Sequence, residues 1–404
     1  MQPVELVNVD TPQMRHAGRD LLSLALMEAR NHSLRWAAAF EAAPSGAAPL
    51  QRALGRLGWF QEFWIARNLE RQRGERCDAT RPKLASIMPE ADAMFGAGAR
   101  AALPDLQTIR QYLVDTLETT LELLEGAAGD DDALYFYRLA LLREDACVER
   151  FAVLAQSLGL ETGLLVPPPT RPVRPALLFP ATRSTIGSPR GGFVPDRERW
   201  AHEVVLPEFE IDSQAVTWAQ YGEFVEDGGC DDLRHWSEAG WAWVQANARR
   251  TPRHVEQMRQ GVLQRRFGQL VRLPMAQPVA HVSAFEAEAW CHWAGRRLPG
   301  EAEWEAAAVQ GASRGFRWGE VREWTAGTLR PYLHASGASG AAGAPGVVAS
   351  PGQPDDARRA SAEPLRVLRG ASFATRGRLR AVTARHADRP AQDEGFYGFR
   401  SCAV

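Results

Sequence analysis

Residues Pro278 to Ala308, PVAHVSAFEAEAWCHWAGRRLPGEAEWEAAA, constrain the fold more than any other stretch, because they spell out where two helices start and stop. Ser283 is a plausible N-cap, and Glu286 three residues on completes a capping box. A short helix is expected to run through Cys291 and Trp293. Gly295 then ends it in a left-handed conformation, and Arg296 and Arg297 lead into Leu298-Pro299, where proline forbids continuation. A second helix restarts at about Glu301.

Elsewhere the pattern divides the chain of 404 residues, which is long enough for two domains. From Thr11 to Leu160 apolar residues recur at helical spacing. Arg15 to Phe40, Leu57 to Leu69, Leu106 to Leu124 and Ala133 to Leu158 read as amphipathic helices, and so as a bundle. Val166 to Pro180, VPPPTRPVRPALLFP, is too rich in proline for helix and reads as an extended linker. Beyond it come short apolar runs, many glycines and ten of the thirteen tryptophans, the composition of an irregular α+β domain. Ala335 to Ala360 is Gly/Ala/Pro-rich and reads as a mobile surface loop.

Composition excludes several classes of function. A formal charge of −2 gives no electrostatic case for nucleic acid or an anionic membrane. No run of about 18 apolar residues occurs, and the first twenty residues lack a basic region followed by an apolar one, so a cytoplasmic protein is expected. The five cysteines, Cys77, Cys147, Cys230, Cys291 and Cys402, are odd in number and widely spaced. Neither a disulfide framework nor a C-x-x-C metal knuckle is expected.

The block at Pro278 resembles the hallmark of the formylglycine-generating-enzyme (sulfatase-modifying factor) fold. The same resemblance continues through Ile186-Gly-Ser-Pro, Phe209-Glu-Ile-Asp, Val216-Thr-Trp, Phe316-Arg-Trp-Gly, Arg369-Gly-Ala-Ser-Phe and Gly398-Phe-Arg-Ser-Cys-Ala. Formylglycine-generating enzymes bind copper through two cysteines between the last two motifs. Ala371 to Tyr397 contains none, so that activity is not expected.

The N-terminal half is similar to a narrower family. Gly18-Arg-Asp-Leu-Leu, Ala29-Arg-Asn-His-Ser-Leu-Arg-Trp, Gly58-Trp-Phe-Gln-Glu-Phe-Trp and Ala133-Leu-Tyr-Phe-Tyr-Arg-Leu resemble selenoneine synthase, a relative of the EgtB-type ergothioneine sulfoxide synthases. The resemblance implies an α+β architecture: a DinB-like four-helix bundle over residues 1–165, a linker over 166–182, and a formylglycine-generating-enzyme-like (C-type-lectin-like) domain over 183–404. It also implies Fe(II) held by three histidines between the domains. The family reaction is oxygen-dependent joining of sulfur or selenium to hercynine.

The positions that match the family's metal ligands do not carry histidine here. The Gly-His pair reads Gly55-Arg56, and the H-E-x-x-H segment reads Arg143-Glu144-Asp145-Ala146-Cys147. Arginine stays protonated and cannot coordinate a cation, so no metal cofactor is expected from the residues. The two guanidinium groups are expected to form an ion-pair network with Glu62, Glu144, Asp145 or Glu149. Family members carry V-W-E-W-T where this chain has Val321-Arg322-Glu323-Trp324-Thr325, and R-N-F-F where it has Arg385-His386-Ala387-Asp388.

Each candidate residue has a structural reading beside the functional one. Cys147 is a surviving soft ligand or a small apolar packer. His16, His32, His281 and His292 are structural or surface residues, since no H-x-x-x-H or H-x-H pair occurs. Trp324 belongs to a cage for the trimethylammonium of a hercynine-like betaine, or to the core. Arg369 and Arg400 bind a ligand carboxylate or form internal ion pairs. Glu144 and Asp145, adjacent on a helix, project about 100° apart and so do not cooperate as acid and base. Two functional readings follow: a binding or regulatory pseudoenzyme whose ligand is a hercynine-like betaine or a seleno- or thio-sugar, or an active synthase with a relocated metal or a metal-free mechanism.

Overall fold

The computed structural model describes residues 8–41, 47–81, 83–96, 98–332 and 364–404. The segment 335–360 lies outside them. Helices α1 (Arg19–Phe40), α2 (Ala47–Gln61), α3 (Ala91–Phe95), α4 (Leu106–Glu125) and α5 (Asp131–Leu158) make up the N-terminal part. Asp105 and Asp130 cap α4 and α5 by accepting from the backbone N–H groups of Thr108 and Ala133. Gly159, at φ +68°, ends α5 in the left-handed conformation.

The second helix differs from the sequence expectation. It begins at Ala47 rather than Leu57, and at Glu62–Ala66 it passes into a π-helical turn instead of continuing to Leu69. Gly55 and Gly58 lie inside α2, where they permit close contact. A Cβ on Gly55 would lie 2.1 Å from the Phe95 ring, and one on Gly58 would lie 3.0 Å from Tyr112. Arg15, expected at the start of the first helix, belongs instead to a short 3-10 turn, Pro12–His16.

The remainder mixes strands and helices: β1 (Leu177–Phe179), β2 (Thr182–Ile186), β3 (His202–Leu206), β4 (Phe209–Ile211), α6 (Trp218–Glu226), α7 (Glu238–Asn247), β5 (Val255–Gln257), β6 (Val262–Arg266) and β7 (Gln269–Leu273). These are followed by α8 (Ala284–Trp293), β8 (Arg296–Arg297), α9 (Glu301–Gln310), β9 (Arg322–Thr328), β10 (Arg366–Arg369), β11 (Arg385–Asp388), β12 (Tyr397–Phe399) and β13 (Cys402–Ala403). The sheets run in the orders β1-β4-β13-β8, β11-β10-β9-β12, β2-β3 and β5-β6-β7. Strand β1 falls inside the stretch read as linker. It lies between Pro175 and Pro180, where three residues free of proline pair antiparallel with β4.

The block at Pro278 folds as its signals specify. Ser283 Oγ accepts from the backbone N–H of Glu286, and the Glu286 carboxylate accepts from the backbone N–H of Ser283 at 2.7 Å. Gly295 sits at φ +63°, and α9 restarts at Glu301. One core surrounds Trp218, Trp290, Trp324 and Phe399. Another joins Trp36, Phe95, Cys147 and Phe151 of the helices to Ala374 and Phe396, so apolar packing is continuous from the N-terminal helices to the C-terminal segments. Among the described residues no helix is long and apolar enough to cross a membrane.

Candidate functional site

The positions matching the family's metal ligands lie on α2 and α5, two helices packed against each other. Arg56 is exposed on α2. Arg143, half-buried on α5, lays its guanidinium over the Phe60 ring, 4.2 Å from the centroid. Cys147, one turn further along α5, is buried in the apolar core that also includes Leu54 and Leu57 of α2. Burial pushes the Cys147 thiol up to about 11, against the nearby positive charges of Arg150, Arg143 and Arg56. In the metal-free chain the thiol is therefore protonated at neutral pH.

The carboxylates around these positions are engaged. Glu144 receives Arg30, with Nε to Oε1 at 2.8 Å, and the same arginine donates to Gln61 Oε1 and Leu113 O. Asp145 accepts two bonds from Arg378, at 2.6 and 2.8 Å. Glu149 accepts from Arg322 and from Ser372 Oγ, both at 2.8 Å. Glu62 accepts from Tyr112 OH, Ser86 Oγ and the backbone N–H of Ile87. An ion-pair network thus surrounds these positions, with Arg30, Arg322 and Arg378 among its arginines. Helix geometry explains these pairings, since Glu144, Asp145 and Glu149 point to faces of α5 that other elements cover. Glu144 and Asp145 diverge to different partners, as their adjacency implies.

Two of these pairs cross from α5 to the C-terminal part of the chain, and others reinforce the same seam. Arg376 and Arg378 both donate to Glu28 of α1, and Arg15 pairs with Glu198 at 2.6 Å. Burial alone would push Glu149 up, but the charge of Arg322 and hydrogen bonds from Arg322 and Ser372 outweigh it and hold its carboxyl below the usual carboxylate value. Glu198 is held down in the same way by Arg15, Ser188 and Thr383, against its burial.

The residues considered for substrate binding lie in the interior. Trp324 is fully buried, donates Nε1–H to Val282 O at 2.9 Å and packs on Tyr397. Arg369 pairs with Glu305 and donates to the carbonyls of Val382 and Thr383. Arg400 pairs with Glu323 and donates to the carbonyls of Asp212 and Arg317, its guanidinium 3.9 Å from the Phe316 centroid. Each makes the internal contacts of the structural reading. The sequence did not single out Arg30, Ser372, Arg376 or Arg378. Arg378 lies in the run Arg376-Gly-Arg-Leu-Arg380, whose charge density is the only available signal.

The residues present do not fit the family's iron: of the three positions that match its ligands, two hold arginine, which stays protonated and cannot coordinate a cation, and the adjacent carboxylates are engaged. Among the described residues no group of three His, Cys, Asp or Glu side chains is placed to hold a metal ion.

Residues 165–321 match the sulfatase-modifying factor enzyme 1-like domain. A hercynine oxygenase from Mycolicibacterium smegmatis is 32% identical over 308 residues, covering 68% of this chain and 65% of the relative. The Mycobacterium tuberculosis hercynine oxygenase is 30% identical over 293 residues, 67% of this chain and 65% of that one. A formylglycine-generating enzyme from Streptomyces coelicolor is 32% identical over 174 residues, 37% and 52% of the two chains. This chain thus spans about 65% of the length of the hercynine oxygenases it matches. Shared sequence over both the helical and the mixed parts, with the capping-box block intact, makes the chain a member of the ergothioneine/selenoneine synthase family.

Proposed function

We propose that this chain is a non-catalytic member of its family, a pseudoenzyme that binds a hercynine-like betaine without iron and without converting it. Its organisation would be a DinB-like bundle over residues 1–165, a linker over 166–182 and a formylglycine-generating-enzyme-like domain over 183–404. The single observation that supports this reading is that Arg56, Arg143 and a buried Cys147, close enough for the two guanidinium charges to act on the thiol, occupy the sequence positions that match the family's metal ligands. Likeness to hercynine oxygenases over both parts supports hercynine as the ligand class.

The test is calorimetric titration of the purified protein with hercynine, run beside an assay for hercynine consumption in the presence of Fe(II), oxygen and a thiol or selenosugar. The expected outcome is saturable binding with no consumption. Consumption that follows the protein concentration would instead establish an enzyme.

A further inference from the structure

Lys83 is the one lysine of a chain whose lysines and arginines together number 47. A guanidinium stays protonated and does not add to a carbonyl carbon, so no other side chain here offers a primary amine as a nucleophile. Two segments tied to each other hold it in place. Leu84 N–H donates to Arg67 O at 3.0 Å, Arg67 Nε donates to Leu84 O at 2.6 Å, and Ile87 N–H donates to the Glu62 carboxylate at 2.7 Å.

On this scaffold Lys83 is half-buried. Its Nζ lies 5.5 Å from the centre of the Phe63 ring and 5.1 Å from that of Trp64, two rings inclined at 74° that form a corner around it. It donates to Asn68 Oδ1 at 3.2 Å, and among the described residues it forms no ion pair with a carboxylate. The acidic groups whose charges reach it are engaged elsewhere: Glu70 by Arg73, Arg81 and the backbone N–H of Asp78, and Asp78 by Thr80. Burial lowers the Lys83 pKa against their attraction, so more free amine is present at neutral pH than on an exposed lysine. The Cys77 thiol, which accepts from the same Asn68 amide at 3.9 Å, is pushed up by burial and stays protonated. The amine is left as the nucleophile.

The surroundings are apolar and open to solvent. Leu69 is 71% exposed, Leu84 49% and Ile87 55%, and all three lie on or beside the two segments that hold Lys83. An apolar molecule arriving at the amine therefore meets side chains that gain from being covered.

We propose that Lys83 is a site of reversible imine formation with apolar aldehydes. The amine lone pair adds to the carbonyl carbon, a C=N bond replaces C=O, and the oxygen leaves as water with the two protons of the nitrogen. Nothing is oxidised or reduced. Phe63 and Trp64 attract a cation, and a protonated imine keeps the positive charge that an acylated lysine would lose. The proposal stands apart from the reading of the metal positions and from any betaine.

The test is reductive trapping of the full chain with benzaldehyde and cyanoborohydride, followed by intact mass and by peptide mapping that separates Lys83 from the terminal amine. The reference is the double variant Lys83→Arg, Arg183→Lys, whose one lysine stands at an exposed position of β2. Near neutral pH the parent chain should be labelled at Lys83 about tenfold faster than the reference lysine, with its rate levelling off at a lower pH. Replacing benzaldehyde by the polar glyceraldehyde should shrink that advantage about threefold. The exposed double variant Leu69→Ser, Leu84→Ser should lose the preference for benzaldehyde and keep its rate with glyceraldehyde. Equal rates for Lys83 and the reference lysine, rates that level off at the same pH, or label confined to the terminal amine would overturn the proposal and leave Lys83 an ordinary surface lysine.

Discussion

His281 is buried against Phe396, and burial, with His254 and Arg266 nearby, lowers its pKa to about 3. Below pH 6.5 the unfolded chain therefore binds a proton that the folded chain excludes. The stabilisation from neutral His281 is complete above 6.5 and is lost as pH falls, by about 2 kcal/mol at pH 5. Glu149 and Glu198, whose folded pKa values are depressed, add stability that is complete above about 4.5 and is lost only below it. Unfolding midpoints measured from pH 7.5 to 3.5 are expected to fall in two stages. His281→Asn, which tolerates the positive φ, should make the upper stage shallower and leave the lower one; His32, His254 and His386, also depressed by burial, supply the rest of it. An upper stage of the same slope in that variant would contradict the assignment.

The helix α8 depends on its capping box, in which Ser283 and Glu286 satisfy each other's backbone donors. Ser283→Ala removes one bond and leaves the buried Glu286 carboxyl a partner short, which should cost about 1–2 kcal/mol. Ser283→Thr should cost much less. Equal midpoints for Ser283→Ala and the parent chain would show that tertiary packing alone holds the helix. This element was fully legible, because capping chemistry is local and is written within four residues. The second helix was not. Whether Gly55 breaks a helix or admits the Phe95 ring depends on α3, some forty residues away. Strand β1 was hidden for a similar reason, since its partner β4 supplies the pairing that Leu177 to Phe179 cannot signal alone.

Across the molecule, Arg56, Arg143 and Cys147 could be matched to the family's ligand positions from sequence, because they lie in short motifs with fixed spacing. The arginines that answer the neighbouring carboxylates were not. Arg378 is 233 residues from Asp145, and Arg322 is 173 from Glu149, so only the fold reveals the pairing. These pairs join the helices to the C-terminal segments across a seam that also shares apolar core. In this chain the seam is held by guanidinium and carboxylate groups, and the proposed reading is that Arg56 and Arg143 oppose a cation at the family's metal position. The most direct test is iron content after anaerobic incubation with Fe(II) and desalting, for the parent chain and for the triple variant Arg56→His, Arg143→His, Cys147→His. The parent chain is expected to retain well under ~0.1 iron per chain and the triple variant to retain substantially more. Stoichiometric iron in the parent chain would contradict the account.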